Sequence, residues 1–447
     1  AATPVSIGVG AALSAAAGFM RTGLAWASMT GSGYPTAGAA GGVAVNSAGT
    51  VVYICQGSTL YRWSSGTWSS WSASGAVSSV AFQSNGVGVY VAGAFSTING
   101  VAASQVATFD GASTFAALAG ALPAGSVNVV EVGADGLPIV GAFNGTSPIY
   151  RHNGSAWVSM ATGVNDPPAL TYYALEATTD GWVWMAASSN AYLGKLKSGS
   201  ATVLPSPAPS AGGINALALD ANGILWVGGN FTLSGVTRYL AGWTGSAWII
   251  PSGVTTAVLS LRCTQAGAVY IGCTADANGV SLLEMQAGYV ATQVIGWEML
   301  TSGVAAIGAS YAGDILVVCK DGTTTAYTAS SAAVTAAGSD GHFTLAIACT
   351  TAATILEVAN FTTGVGASLA LAVGAGDTIT IDTRAGTITS ALLGRLVGQV
   401  VNNVSLSSLV MAKGANTIAV MLRTPASITA TANVAAAGRY YSAEGLA

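Results

Sequence analysis

Charge is what this sequence most lacks. Lys and Arg together number 13 and Asp and Glu 17 among 447 residues, 7% of the chain, against about 25% in an ordinary soluble domain. With a formal net charge of −4 and no Lys/Arg cluster, the chain has no basic field of the kind that holds nucleic acid. Disorder is excluded by the other half of the composition. A disordered chain needs low hydrophobicity and high net charge, and this one is 51% hydrophobic. Long apolar runs are also missing. The nearest, Ala1 to Met20, is broken by Thr3, Pro4, Ser6, Ser14 and three glycines, so no membrane-spanning helix of the usual ~20 residues is expected. The same stretch has no basic n-region and is not an intact signal peptide, so the numbering is expected to begin after processing or inside a longer chain.

Reactive side chains are equally scarce. There are two histidines, His152 in RHNGS and His342 in SDGHF. Neither is accompanied by a recognisable nucleophile elbow, and a two-histidine metal site would need further ligands, none of which stands at a useful spacing. Cys55, Cys263, Cys273, Cys319 and Cys349 make an odd count without a CxxC pair, so a disulfide framework is not expected and buried thiols acting as small apolar residues are. Phosphate-binding glycine loops and the DxDxDG calcium loop are absent. From these absences we expect no metal, no cofactor and no enzyme.

What is present is a repeat. Seven apolar runs recur: VVYICQ (51–56), VYVAGAF (89–95), LPIVGAF (137–143), WVWMAAS (182–188), LWVGGNF (225–231), VYIGCTA (269–275) and ILVVCKD (315–321). Their second residues are separated by 38, 48, 45, 43, 44 and 46 positions, the period of a four-stranded propeller blade. Each run follows another apolar strand and a glycine turn, as in VSSVAFQSNGVG and INALALDANGI, where Asn-Gly or Asp-Gly supplies positive φ. A third strand follows (TLYRWSSG, QVATFDGA, PIYRHNGS, YLAGWTGS), then a fourth that often carries an aromatic (GTWSSW, SAWVSM, SAWIIP, GWEML). Small residues at the end of the second strand (Cys55, Gly93, Gly141, Ala186, Gly229, Cys273, Cys319) are expected where blades converge on an axis. Trp68, Trp157, Trp248 and Trp297 are expected to pack between blades. LAWASMTGSG (24–33) resembles the fourth strand SAWVSMATGV (155–164) without three strands before it. The last unit has only a weak fourth strand, AAVTAAG, so the N-terminal strand is expected to complete the last blade and remove an exposed edge.

The combination of Gly93 to Phe95, Gly141 to Phe143, Gly228 to Phe231, the turns Asp110-Gly111 and Asn153-Gly154, and Trp157 resembles Kelch-like and related propeller repeats of secreted bacterial and phage proteins. The resemblance covers roughly residues 24–338.

Beyond Gly338 the period stops and the alternation becomes mostly twofold, which reads as about eight further short strands and a jelly-roll sandwich. GDTITIDTRAGTIT (376–389), KGANTIAV (413–420) and RYYSAEG (439–445) resemble the galectin-like sandwich of siphovirus-type distal tail proteins. The residues that carry this are Gly376-Asp377, Asp382-Thr383, Ala385-Gly386, Gly414, Asn416 and Ile418. That family's ring-forming belt domain has no counterpart here, so the resemblance implies a tail-associated or baseplate-peripheral protein and not the hub. The expected fold class is therefore all-β: a seven-bladed β-propeller, with six or eight blades as alternatives, followed by a jelly-roll β-sandwich. The expected organisation is an N-terminal arm (1–23), a propeller (24–338) and a C-terminal sandwich (339–447).

Three functions are carried forward. The first is a structural or binding component of a phage tail or tail fibre that attaches to a host-surface glycan or assembles with other tail proteins. Its contact candidates are Tyr172, Tyr173, Trp182, Trp184, Tyr440 and Tyr441. The second is a subunit of a bacterial extracellular filament, sheath or adhesin, with the Ala/Gly-rich arm lying on a neighbouring copy as an added strand. The third is a secreted carbohydrate-active enzyme. This last needs two close carboxylates, and Glu131 and Glu176, in equivalent first strands of successive blades, are the pair that repeat geometry brings to one mouth. Expected partners are other tail or filament subunits, a homo-oligomeric assembly and a host glycan, with no nucleic acid and no membrane span; the expected location is the virion tail or the cell exterior.

Overall fold

The computed structural model describes residues 5–7, 18–22, 25–28 and 40–436, apart from short stretches, chiefly 144–148, 161–166, 275–280, 295–302, 311–314, 321–326, 337–340, 397–399, 401–404 and 424–429. Among the described residues regular structure is almost wholly strand, with one short 3-10 turn at Leu406–Ser408. No helix among the described residues is long and apolar enough to cross a membrane.

Seven antiparallel sheets follow the repeat. We number them I to VII by their first, innermost strands: Ala40–Val45, Val77–Phe82, Ser126–Val132, Tyr172–Ala177, Ser210–Leu219, Val258–Cys263 and Val304–Ala309. Each inner strand packs on the inner strand of the next sheet, and that of sheet VII packs on that of sheet I. The ring is closed, and its chain ends close it. Gly18–Thr22 pairs with Ile315–Lys320, and Ala25–Ser28 pairs with Gly18–Thr22. Sheet VII thus takes two strands from the N-terminal end of the chain. Sheet IV differs from the four-stranded expectation. It has three strands among the described residues, with a single bridge from Lys195 to Val203 beyond its edge.

The turn after the inner strand shows why the repeat reads so clearly in sequence. Gly49, Gly86, Gly136, Gly181, Gly223 and Gly267 have φ between 69° and 89°. Each donates its N–H to the carbonyl three residues back, at Asn46, Gln83, Gly133, Thr178, Asp220 and Thr264. A side chain there would be strained in the left-handed region, so glycine punctuates six of the hairpins at the same point.

The core lies between sheets. Sheets I and II enclose Tyr53, Leu60, Val91 and Phe109; sheets IV and V enclose Leu193, Val227 and Phe231; sheets V and VI enclose Trp226, Ile271 and Met285. Ring contacts order these interfaces: Phe109 stacks on Phe115 at 4.5 Å and meets Trp71 at 4.5 Å. Trp157 and Trp248 pack on such clusters as expected, Trp248 against Trp243 at 5.1 Å. Trp297 lies outside the described residues. Cys55 and Cys273 are buried in these interfaces.

Two boundaries differ from the sequence reading. Tyr327–Ala336, which contains the supposed fourth strand of the last blade, pairs along its length with Gly414–Arg423. It belongs to the C-terminal unit, which therefore starts before position 339. The arm 1–23 is also divided, because Val5–Ile7 pairs with Ala432–Val434 of the same chain while Gly18–Thr22 is in the ring.

The C-terminal unit has two sheets over one core. Ile347, Ile379, Ile381 and Ile388 face Ile355, Val358, Leu371 and Ile418. The alternating burial of Thr378–Asp382 and Thr387–Ser390 is the twofold pattern of the sequence. The strand pairing departs from the nested order of a jelly roll: Tyr327–Ala336 pairs with Gly414–Arg423, while the later Phe343–Cys349 pairs with the still later Ala430–Ala436. The motif residues act as latches. Asn416 accepts from Asn360 at 3.0 Å and from the Ala412 N–H at 2.9 Å, and donates to the Ala412 carbonyl at 2.7 Å. Thr383 brackets the backbone of Phe343 at 2.8 and 2.9 Å.

Candidate ligand site in the axial channel

A β-bulge falls at one register in all seven sheets. The residues passed over by the pairing are Gly41, Ser78, Asn128, Tyr173, Asn215, Leu259 and Ala305. A bulge bends the strand and raises its twist, which turns each inner strand along the axis. The small residues of the second strands stand opposite this bulge. A Cβ on Gly93 would lie 2.0 Å from the Ala76 carbonyl oxygen, and one on Gly229 2.2 Å from that of Gly213. This corrects the expectation that second-strand residues crowd the axis. The axis is lined by the first strands, and at Gly93 and Gly229 the backbone of the first-strand segment presses on the second strand.

Three residues after the bulge lies one layer of the ring: Ala44, Ala81, Glu131, Glu176, Ala218, Arg262 and Gly308, paired with Tyr53, Tyr90, Ile139, Trp184, Trp226, Tyr270 and Val317. Four members are Ala or Gly and three are charged. Glu131, Glu176 and Arg262 all line a cavity of about 700 Å³ whose wall comes from the inner strands of all seven sheets. The rest of the wall is uncharged, with hydroxyls and amides such as Ser79, Gln83, Asn215 and Ser260. Two of these also tie neighbouring sheets: Asn215 donates to the Val258 carbonyl at 2.8 Å, and Ser260 to that of Val304 at 3.3 Å.

The electrostatics follow from enclosure. Withdrawal from bulk water and the nearby Glu131 carboxylate push Glu176 up to about 8, against the opposing pull of Arg262 and a backbone hydrogen bond from Leu219. Burial likewise raises Glu131, opposed by the Val132 N–H, which it accepts at 3.0 Å, and by Arg262. Burial raises the Cys263 thiol, helped by Glu176, so it is a poor nucleophile at neutral pH. Arg262 is exposed to the cavity. Arg151 pairs with Asp135 on the outside, and no ion pair joins Arg262 to Glu131 or Glu176. Arg262 therefore acts on both carboxylates through space. The layer brings together two carboxyls that burial raises, Glu176 to about 8, and a fixed cation: a proton donor and an anion holder.

The other sequence candidates separate. Tyr172 is fully buried, donates to the Pro168 carbonyl at 3.0 Å and meets Tyr192 edge-on. Trp184 is buried between sheets IV and V. Both are corrected as surface contacts, because their strand turns them into inter-sheet cores. Trp182 is half-buried, with the Lys195 ammonium 4.9 Å from its ring centre. Tyr173, a bulge residue, is 50% exposed and lines the cavity. Tyr440 and Tyr441 lie outside the described residues. His152 is buried far from the channel layer; its Nδ1 accepts from Gly154, so its Nε2–H donates to the Ala119 carbonyl at 2.9 Å. The sequence reading missed Arg262. Its signal was there in the triplets Val130-Glu131-Val132, Leu175-Glu176-Ala177 and Leu261-Arg262-Cys263, which share one position in three blades.

Seven successive sheets with inner strands packed in a closed ring leave one architecture. The fold is a β-propeller. Solved propellers of several kinds are similar to it. A streptogramin B lyase matches at 10% identity with a TM-score of 0.48, covering 67% of this chain and 97% of the lyase. A virginiamycin B lyase from Staphylococcus aureus, bound to quinupristin, matches at 11% and 0.46, covering 63% and 94%. YCF48 bound to the D1 peptide matches at 15% and 0.44, covering 64% and 94%. At these identities the likeness concerns fold alone. No protein family and no curated protein matches the sequence. The lyases do overturn one expectation. The expectation of no enzyme is corrected to that extent: it rested on absent motifs, and the solved structures similar to this fold include lyases.

Proposed function

We propose that the chain is a binding component of an extracellular assembly, in the first place a phage tail or tail fibre, that engages a host-surface glycan. One combination supports the reading: a propeller with an open polar axial cavity, followed by a second β unit, with strands from the N-terminal segment entered in both. Such cross-stitching resists separation of the units under load, which an attachment protein needs. The very low surface charge and the tail-type motifs at Gly376-Asp377, Asp382-Thr383 and Asn416 support the same reading. The filament or adhesin alternative loses part of its motivation, since residues 5–7 pair within their own chain. The test is a glycan array and host-envelope binding assay with the labelled full chain, together with antibody labelling of particles. Binding to envelope and labelling at the tail are expected; no envelope binding together with no label on particles contradicts it.

A second reading is favoured by Glu131 and Glu176. A carboxyl held protonated near neutral pH beside a second carboxylate is the acid/base arrangement of a carbohydrate-active enzyme. In this reading Glu176 is the acid and Glu131 the base. Hydrolysis of a host polysaccharide that survives Glu131→Gln and Glu176→Gln unchanged rules the reading out.

A further inference from the structure

We propose that the axial channel binds a small zwitterion, whose ammonium group faces Glu131 and Glu176 and whose carboxylate faces Arg262. The inference goes beyond the attachment reading and holds or falls independently of it.

It begins from the register layer. Opposite charges occupy one level of one channel, on sheets III and IV against sheet VI, with Ala218 of sheet V between Glu176 and Arg262. The remaining level positions are the small residues Ala44, Ala81 and Gly308, which pack toward the neighbouring sheets. No salt bridge joins Arg262 to either carboxylate, although all three line the same cavity. An accessible guanidinium with no carboxylate partner is open to a ligand of matching charge, which gains charge-assisted hydrogen bonds there. The cavity of about 700 Å³ lies within the usual range of small-molecule sites, about 300–1,000 Å³.

The charge pattern selects the chemistry. A metal ion requires more oxygen ligands than two carboxylates and is repelled by Arg262; no cluster of three metal-ligating side chains exists among the described residues. A simple anion meets two glutamates. A neutral sugar leaves Arg262 without a counter-charge. A molecule with both signs, set apart by a few bonds, satisfies the layer. The ionisable groups around it are Glu131, Glu176, Arg262, Cys263 and Tyr173, with Asp220 acting on Cys263. Because Glu176 carries its proton up to about pH 8, an ammonium ligand must displace that proton. Affinity therefore rises with pH until the ligand amine itself loses its charge.

The experiment is calorimetric titration of the full chain with glycine, 4-aminobutanoate and 6-aminohexanoate, beside hexylamine and hexanoate. At least one amino acid of the series is expected to bind about tenfold more tightly than either single-charge control, the factor for one charged hydrogen bond. Arg262→Gln reduces that ligand to the level of hexylamine, and the Glu131→Gln/Glu176→Gln pair reduces it to the level of hexanoate. For the unaltered chain, affinity rises between pH 6 and 9, a readout that needs no variant to fold. No binding by any amino acid, hexylamine binding equally well, unchanged affinity in a folded Arg262→Gln chain, or affinity flat or falling with pH overturns the proposal.

Discussion

Glu131 and Glu176 occupy the same register position on the inner strands of adjacent propeller sheets, each three residues beyond a β-bulge. The Glu131 carboxylate raises Glu176 above its ordinary ionisation, and the enclosing ring withdraws both from water. The consequences can be measured without knowing the ligand.

Glu176 sets a pH dependence of stability. Its folded pKa, about 8, lies above the unfolded carboxyl value. Between these the native state holds a proton that the unfolded state has released, so stability falls as pH rises across that window. Glu176→Gln removes the titrating group. The expected result is a melting temperature roughly 2–5 °C above that of the unaltered chain at pH 9, little difference at pH 4, and a flatter profile between. Thermal unfolding by circular dichroism across that range checks it.

The bulge makes a packing prediction. A Cβ on Gly93 would sit 2.0 Å from a backbone oxygen, whereas one on Gly374 meets nothing within 4 Å. Gly93→Ala is expected to cost about 3 kcal/mol or more, and Gly374→Ala to be within about 0.5 kcal/mol of neutral. Denaturant unfolding of the two variants distinguishes a pressed backbone from a mere preference for small residues.

Much of this fold was legible. The hairpin glycines stand at a left-handed turn that only glycine occupies freely, so Gly86, Gly136 and Gly223 punctuate the sequence at blade intervals. Glu131 and Glu176 were found because equivalent positions in a repeat come together in space. Arg262 was not, since its sheet is two away from that of Glu176 and only a register alignment through the bulges puts it level. The fate of Tyr172 and Trp184 was hidden for a related reason: a strand turns alternate residues to opposite faces, and a bulge shifts which face each one takes. The pairing of 327–336 with 414–423 was out of reach, because nothing local in AAVTAAG distinguishes a blade strand from a sandwich strand.

The N-terminal segment gives a third prediction. Removing residues 1–10 takes one edge strand, Val5–Ile7, from the C-terminal unit and none from the ring. Removing residues 1–28 also takes the two outer strands of sheet VII and opens an edge on the propeller. Calorimetry is expected to show the propeller transition retained in the first truncation. In the second it moves down by about 5 °C or more, with greater aggregation.

The most direct test of the axial site is carbon NMR of the glutamate side-chain carboxyls, titrated from pH 3 to 10 and assigned with Glu131→Gln and Glu176→Gln. The predicted result is a Glu176 midpoint near 8, moving downward when Glu131 is made neutral. Ordinary carboxyl titration of both residues, with neither sensitive to loss of the other, contradicts the account.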